Sequence, residues 1–232
     1  MCLEGRESSA SERRADGDYV RVSTKDRADE DRRLAIRASQ GDVEAFTKLV
    51  EAHSSLVYRV ALRMLGAQEQ QEYARDVSQE VWIRVWKNIK SFRGQSAFST
   101  WLYRITVNTC LSSRQRETRL KEREYHGGGA EEIPYLLPEP AGGEADPEAA
   151  ALSAERRREV EAALLRVRAE HRAALVLRHM EGLSYAEIAE VLGVPEGTAK
   201  GWVSRGRAAM LISLAEEEAG SGGRRRGAGE LE

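Results

Sequence analysis

The stretch LSYAEIAEVLGVPEGTAKGWVSRGRAAML, Leu183 to Leu211, constrains the fold more tightly than any other part of the chain. Ser184 followed by Glu187 is an S-x-x-E capping box: hydroxyl and carboxylate each satisfy a backbone N–H that the first turn of a helix leaves free. Ile188, Ala189 and Leu192 then fall on one inward face. Gly193 ends this short helix, because the reversal needs positive φ. Pro195 suits the first turn of the next helix, where a missing N–H costs nothing. That second helix turns Ala199, Val203, Gly206 and Met210 inward and leaves Lys200, Ser204, Arg205 and Arg207 largely on the surface. A short helix, a glycine turn and a polar-basic second helix form a helix-turn-helix of the kind that enters the major groove. An αα-hairpin that binds nothing has the same outline, but the cap, turn glycine and basic face together favour DNA. Gly201 and Gly206 lie inside the second helix, each costing about 1 kcal/mol against Ala. They permit either close packing or close backbone approach.

The rest of the chain is also helical in its patterning, with no sustained alternation of the β type and no internal repeat. From Arg32 onward Val43, Phe46, Val50, Val57, Val60 and Met64 form one stripe, with Gly66 as a stop. Tyr73, Val77, Val81, Val85 and Ile89 form a second. Phe98, Trp101, Leu102, Ile105 and Thr109 form a third, which Ser99 or Thr100 would cap. Charge is segregated: Arg84–Arg123 holds ten Lys/Arg against two Asp/Glu, whereas Glu124–Ala150 holds seven Asp/Glu and no Lys/Arg. The basic block suggests a polyanion partner, and the Gly/Pro-rich acidic block reads as a linker with an apolar island, Ile133 to Leu137. The expected organisation is all-α: a disordered extension over 1–30, a helical domain over 31–123, a flexible acidic linker over 124–150, a helix-turn-helix domain over 151–218 and a disordered tail over 219–232.

Several classes are disfavoured. A net charge of -2 does not suit a uniformly basic DNA-coating protein. No apolar run reaches bilayer length and the N-terminus lacks the apolar centre of a signal peptide, so a cytoplasmic protein without membrane insertion is expected. Cys2 and Cys110 are far apart, and His53, His126, His171 and His179 lack metal-ligand spacing; no disulfide, metal or cofactor is expected. Cys110 reads as a buried thiol in a basic helix. No nucleophile–base pair or phosphate loop is visible, which disfavours an enzyme.

Three motifs, DVSQEVWIRVWKNI, FRGQSAFSTWLYRITVN and EHRAALVLRHMEGLSYAEIAEVLGVPEGTAKGWVSRGRAAML, occur in order over about Leu34 to Leu214. Together they resemble the extracytoplasmic-function (ECF) sigma factors of the sigma-70 family, the promoter-recognition subunits of bacterial RNA polymerase. Members read close to D-x-x-Q-E-x-F, F-x-x-x-S-x-F-x-T-W-L-x-R-I-x-x-N, and G-x-S-x-x-E-I-A with G-T-V-K-S. Departures here are Trp82 for phenylalanine, Arg168 where proline is common, and Ala199 and Gly201 for Val and Ser.

The resemblance implies two domains, sigma regions 2 and 4, and a set of contacts. Asp76, Gln79, Glu80 and Arg84 would grip the clamp helices of the polymerase β′ subunit, and the C-terminal domain would meet the β flap. Trp86 fits either a core or an interface. The loop from Ser91 to Ala97 would capture a base flipped out of the single-stranded minus-ten element, with Arg93, Gln95 and Ser96 offering donors and acceptors and Gly94 letting the backbone approach. Tyr103 and Arg104, off the core stripe, would stack and contact phosphate, with Asn108 one turn further. Trp101, on the edge of the stripe, fits either core or strand contact, while Phe98 and Leu102 read as core. Arg114, Arg116, Arg119 and Lys121 extend the phosphate track. The helix-turn-helix, through Glu196, Thr198, Lys200, Ser204, Arg205 and Arg207, would read duplex DNA near minus thirty-five. An anti-sigma factor lodged between the domains is the implied control. The rival reading is a helix-turn-helix regulator acting on duplex DNA without being a polymerase subunit; a decoy that binds polymerase without opening DNA is a third.

Overall fold

The computed structural model describes residues 24–66, 71–123 and 147–226, and every described element is helical. Eight α-helices follow in order: α1 (Thr24–Ser39), α2 (Val43–Leu65), α3 (Gln71–Asn88), α4 (Phe98–Arg123), α5 (Pro147–Arg166), α6 (Ala169–Leu175), α7 (Tyr185–Leu192) and α8 (Glu196–Arg226). A single 3₁₀ turn, Ile89–Ser91, follows α3, and a π-helical turn, Val176–Met180, continues α6. Helix α1 begins inside the expected disordered extension, α5 begins at Pro147 within the expected linker, and α8 passes the expected end at 218. The island Ile133 to Leu137 and most of the acidic linker lie outside the described residues.

Helix ends follow the local chemistry. The Asp42 carboxylate accepts from the Ala45 N–H at 2.9 Å and starts α2, and Gly66 at φ 114° closes it. Ser184 and Glu187 form the reciprocal capping box at α7, and Gly193 ends that helix left-handed at φ 66°. Helix α4 begins one residue before Ser99, its first turn closed by the Trp101 N–H to the Ala97 carbonyl, so Ser99 and Thr100 lie within the helix rather than capping it.

Helix α1 lies across α2 and changes which face of α2 is inside. Ala45, Leu49 and His53 are buried there, and His53 Nε2 meets the buried Asp31 carboxylate at 2.9 Å. Val43, placed on the sequence stripe, is instead 63% exposed. Phe46 is half-buried, with its ring against Trp82 and Trp86 of α3 at centroid distances of 6.1 and 4.7 Å. The stripe cannot report α1, which covers the other face of α2. Beyond Val57 stripe and buried face coincide.

One apolar cluster belongs to the N-terminal helices alone, built on Leu49, Val57, Val81, Val85, Ile89, Phe98 and Leu102. A second runs through both domains, joining Val60, Met64, Val77 and Val107 to Leu164, Leu175, Ile188 and Val203. The domains therefore share a seam, in which α2 packs on α5 and α4 on α7. Within it Arg172 is 1% exposed, donating to the carbonyls of Met64 at 2.8 Å and Val167 at 3.1 Å. Burial, and then the charge of Arg114, lower its pKa to about 10, which leaves it charged at neutral pH. Cys110 is equally enclosed, and burial pushes its thiol up to about 12, so it is an unreactive thiol at neutral pH.

The two glycines of α8 separate cleanly. A Cβ on Gly206 would stand 2.9 Å from Leu175 Cδ1 and 3.0 Å from the His171 carbonyl oxygen, so this glycine lets α8 press on α6. At Gly201 the nearest atom is the flexible Arg205 guanidinium at 3.4 Å. Gly206→Ala is expected to lower stability by about 1–3 kcal/mol through overpacking, whereas Gly201→Ala is neutral or stabilising by up to about 1 kcal/mol, both read by chemical denaturation. Arg172→Met strands two buried carbonyls and is expected to destabilise by about 2–5 kcal/mol in the same measurement.

Candidate nucleic-acid interface

The stripe Val77, Val81, Val85 turns one face of α3 inward, so its remaining positions reach solvent. Asp76 and Gln79 are exposed, as are Ile83 at 54% and Trp86 at 42%. Trp86 therefore lies on the surface rather than in the core, with Phe46 behind it. Glu80 and Arg84, expected to share the outward role, are occupied internally. Arg84 Nη2 contacts Glu80 Oε1 at 2.6 Å, while Glu80 Oε2 accepts from Ser113 of α4 at 3.3 Å and stands 3.8 Å from Arg116. Glu80 thus ties α3 to α4, and Arg84 is held on it from the same helix. Sequence reasoning missed Ile83; its signal was an isoleucine off the valine stripe.

After α3 the 3₁₀ turn places Ile89 and then Phe92 in the core, and the chain between Phe92 and Phe98 bulges outward. Arg93 and Gln95 are exposed and Ser96 is partly buried. Gly94 has φ 66°, and a Cβ there would lie 2.9 Å from Arg32 Nε, so the loop rests on a guanidinium of α1. A cleft of about 370 Å³ adjoins the loop, lined among others by Arg27, His53, Arg59, Phe98 and Ser99. Trp101 packs with Phe92 at 5.4 Å and Phe98 at 5.8 Å between centroids and is buried: it is a core residue, which removes it from the candidate strand contacts in this arrangement. Arg104 and Asn108, one turn apart on α4, are exposed. Arg116 is also exposed, Arg114 is partly buried, and the side chains of Arg119 and Lys121 lie outside the described residues.

Tyr103 departs from expectation. Off the stripe by helical phase, it is nevertheless buried, because the C-terminal domain covers it. Its hydroxyl donates to Glu181 Oε2 at 2.9 Å. Arg59 and Arg63 of α2 reach the same carboxylate at 3.1 and 2.8 Å. Burial, with the charge of Glu181, raises the Tyr103 pKa above its ordinary value, so the hydroxyl keeps its proton. The ring is not available for stacking while the domains are together.

On the helix-turn-helix, Glu196, Lys200, Ser204, Arg205 and Arg207 are exposed on α8, and Thr198 is partly buried, its N–H donating to the Pro195 carbonyl at 2.9 Å. Arg207 Nη2 lies 3.3 Å from His179 Nε2. Trp202, which sequence reasoning did not single out, is half-buried and shares a shallow cavity of about 340 Å³ with Arg168, Glu170, His171 and Arg205. Partial burial, then Arg205 and Arg168, lower the His171 pKa and keep its imidazole neutral at neutral pH. The basic surface here rests on arginine and lysine. Among the described residues no cluster of His, Cys, Asp or Glu could hold a metal ion, and no helix is long and apolar enough to cross a membrane.

Comparison with known proteins places both domains in one family. The family model for Sigma-70 region 2 matches residues 49–120, and that for Sigma-70, region 4 matches residues 157–210. The chain is 34% identical to the ECF RNA polymerase sigma factor SigW of Bacillus subtilis, over 77% of this chain and 93% of that protein. It is 35% identical to the ECF RNA polymerase sigma-E factor of Haemophilus influenzae, over 76% of this chain and 91% of that protein. Among solved structures, CnrH in complex with the cytosolic domain of CnrY aligns with a TM-score of 0.54 and 26% identity, over 81% of this chain and 99% of that one. With region 2 helices carrying the exposed loop and region 4 helices carrying the helix-turn-helix, the chain belongs to the ECF sigma factors of the sigma-70 family.

Proposed function

We propose that this sigma factor docks on core RNA polymerase through the outward face of α3, reads duplex DNA near minus thirty-five with α8, and holds the melted minus-ten strand along the 91–97 loop, Arg104 and Asn108. The observation that carries this reading is the division of exposed surface within region 2. Asp76, Gln79, Ile83 and Trp86 make a mixed polar and apolar face suited to a protein partner, while Arg93, Gln95, Arg104 and Asn108 make a polar, basic one suited to a strand. A regulator confined to duplex DNA has no use for the second surface.

Sequence would be read at the loop, where Gln95 and Ser96 offer both donors and acceptors to an extruded base edge beside the cleft. Unstacking costs a few kcal/mol, which capture and phosphate contact offset. The protein supplies binding energy and no covalent chemistry. Arg205, Arg207 and Lys200 contribute salt-sensitive backbone contact at the duplex site. CnrH was solved in complex with the cytosolic domain of CnrY, which supports a protein partner for this chain as well; our reading of that partner is a controlling anti-sigma factor. Run-off transcription with purified core polymerase tests the whole reading: promoter-specific transcripts are expected, and duplex binding without core dependence would favour the plain regulator.

Two variants resolve the surfaces. Trp86→Ala combined with Asp76→Lys is expected to weaken core binding about tenfold or more, as loss of an interface aromatic does, with duplex binding unchanged. Equal loss of both would count against α3 as the docking face. Gln95→Ala with Ser96→Ala is expected to change minus-ten base preference by about 1–3 kcal/mol in the ranking of promoter variants, at constant core affinity.

A further inference from the structure

The strand-reading surface and the inter-domain seam meet at Glu181. Its side chain is 3% exposed, and its two oxygens are held by three donors of region 2: Arg59 and Arg63 on α2 and Tyr103 on α4, at 2.8 to 3.1 Å. The donors do not share that enclosure, since Arg59 is 47% exposed and Arg63 29%. Two cations and a hydroxyl converging on one anion from two neighbouring helices make a seat with one positive charge in excess. A phosphate oxygen has the same hydrogen-bonding requirement as a carboxylate oxygen. The seat is continuous with the reading loop, because Arg59 also lines the cleft shared with Phe98 and Ser99, and Tyr103 precedes the exposed Arg104. Glu181 arrives from the other domain at the end of the π-helical turn, held by its N–H to the Val176 carbonyl and followed by Gly182 at φ 76°.

We infer that Arg59, Arg63 and the Tyr103 hydroxyl form a binding site for a backbone phosphate of single-stranded DNA, and that Glu181 fills this site when the two domains are closed. Strand and C-terminal domain compete for the same donors. The closed arrangement therefore lowers the apparent strand affinity of the free protein by the fraction of molecules that are open. Binding of the strand favours separation of the domains by the same factor. The inference rests on the minus-ten reading above and adds to it Arg59 and Arg63, which lie outside the sequence motifs.

The test is fluorescence anisotropy of a short labelled single-stranded DNA of mixed sequence, titrated with the full-length chain. Glu181→Ala is expected to tighten binding about tenfold, by removing the competing anion. Adding Arg59→Ala and Arg63→Ala to that variant is expected to abolish the gain and to flatten the salt dependence by about one phosphate. Should Glu181→Ala fail to fold by circular dichroism, Glu181→Gln, which keeps the shape without the charge, is expected to tighten binding about threefold or more. Energy transfer between dyes on Glu51→Cys and Glu190→Cys, in a full-length chain whose only other change is Cys2→Ser, is expected to fall as the strand is added. Unchanged affinity in a folded Glu181 variant, a gain that survives loss of both arginines, or strand binding without change in energy transfer would each overturn the inference. Run-off transcription by the unaltered chain separates the two levels. Transcripts alongside any of these negative results would remove the phosphate seat and leave the initiation reading standing. Absence of transcripts would instead remove that reading.

Discussion

The relation of the two domains depends on a charge that has no water around it. Arg172 is fully enclosed, and no carboxylate pairs with it among the described residues. An isolated guanidinium in such a place would cost several kcal/mol. Here its partners are the Met64 carbonyl in the last turn of α2 and the Val167 carbonyl just past α5. Helix C-termini leave carbonyls without intrahelical donors and carry partial negative charge. One arginine thus answers two helix ends, and it does so only if α2, α5 and α6 converge. Gly66 eases the convergence: its φ of 114° ends α2 there, and a Cβ would meet the Leu165 methyl at 3.0 Å.

From that anchor the rest of the seam follows along the chain. Arg172 fixes α6 against the end of α2, the π-helical turn carries the backbone back along α2, and Glu181 lands on Arg63 and Arg59, one residue and five residues before Met64. Helix α7 then begins on α4, with Ile188 in the apolar cluster and Tyr103 beneath it. Apolar contact gives the seam its area, and the polar groups set its register. The ion pairs at Glu181 keep one side in water, where a competing anion or salt can reach them. A seam of this kind is specific and can still be opened.

Much of region 4 was legible because its determinants are local. The Ser184–Glu187 box, the Gly193 turn and the inward Ile188, Ala199 and Val203 each require only neighbours within one or two turns. Region 2 was legible where a single stripe has a single cover, as for Val77, Val81 and Val85. It failed where the cover came from elsewhere. Val43 lies outward because α1 reaches back to residue 24 and claims the opposite face of α2, while Phe46 stays half-buried at the edge of the core. Tyr103 was assigned outward because helical phase reports hydrophobic neighbours along one helix and cannot report a second domain. Trp101 stood between two readings until Phe92 and Phe98 were placed beside it. The Glu181 contacts span separations of 78 to 122 residues, and no periodicity carries such information.

The division of surfaces in the closed chain gives the two DNA-reading parts different standing. The α3 face, the 91–97 loop and the polar side of α8 all reach solvent together, so docking and duplex reading need no rearrangement within the chain. The Tyr103 seat alone is filled, and by the protein's own carboxylate. Under the proposed assignment, full engagement of a melted strand therefore has to displace a group that duplex binding leaves in place. A partner that holds the domains apart would expose the seat, and one that clasps them together would keep it shut. The same four residues, Arg59, Arg63, Tyr103 and Glu181, would then report both events, because the three donors lose the Glu181 carboxylate together when the domains part.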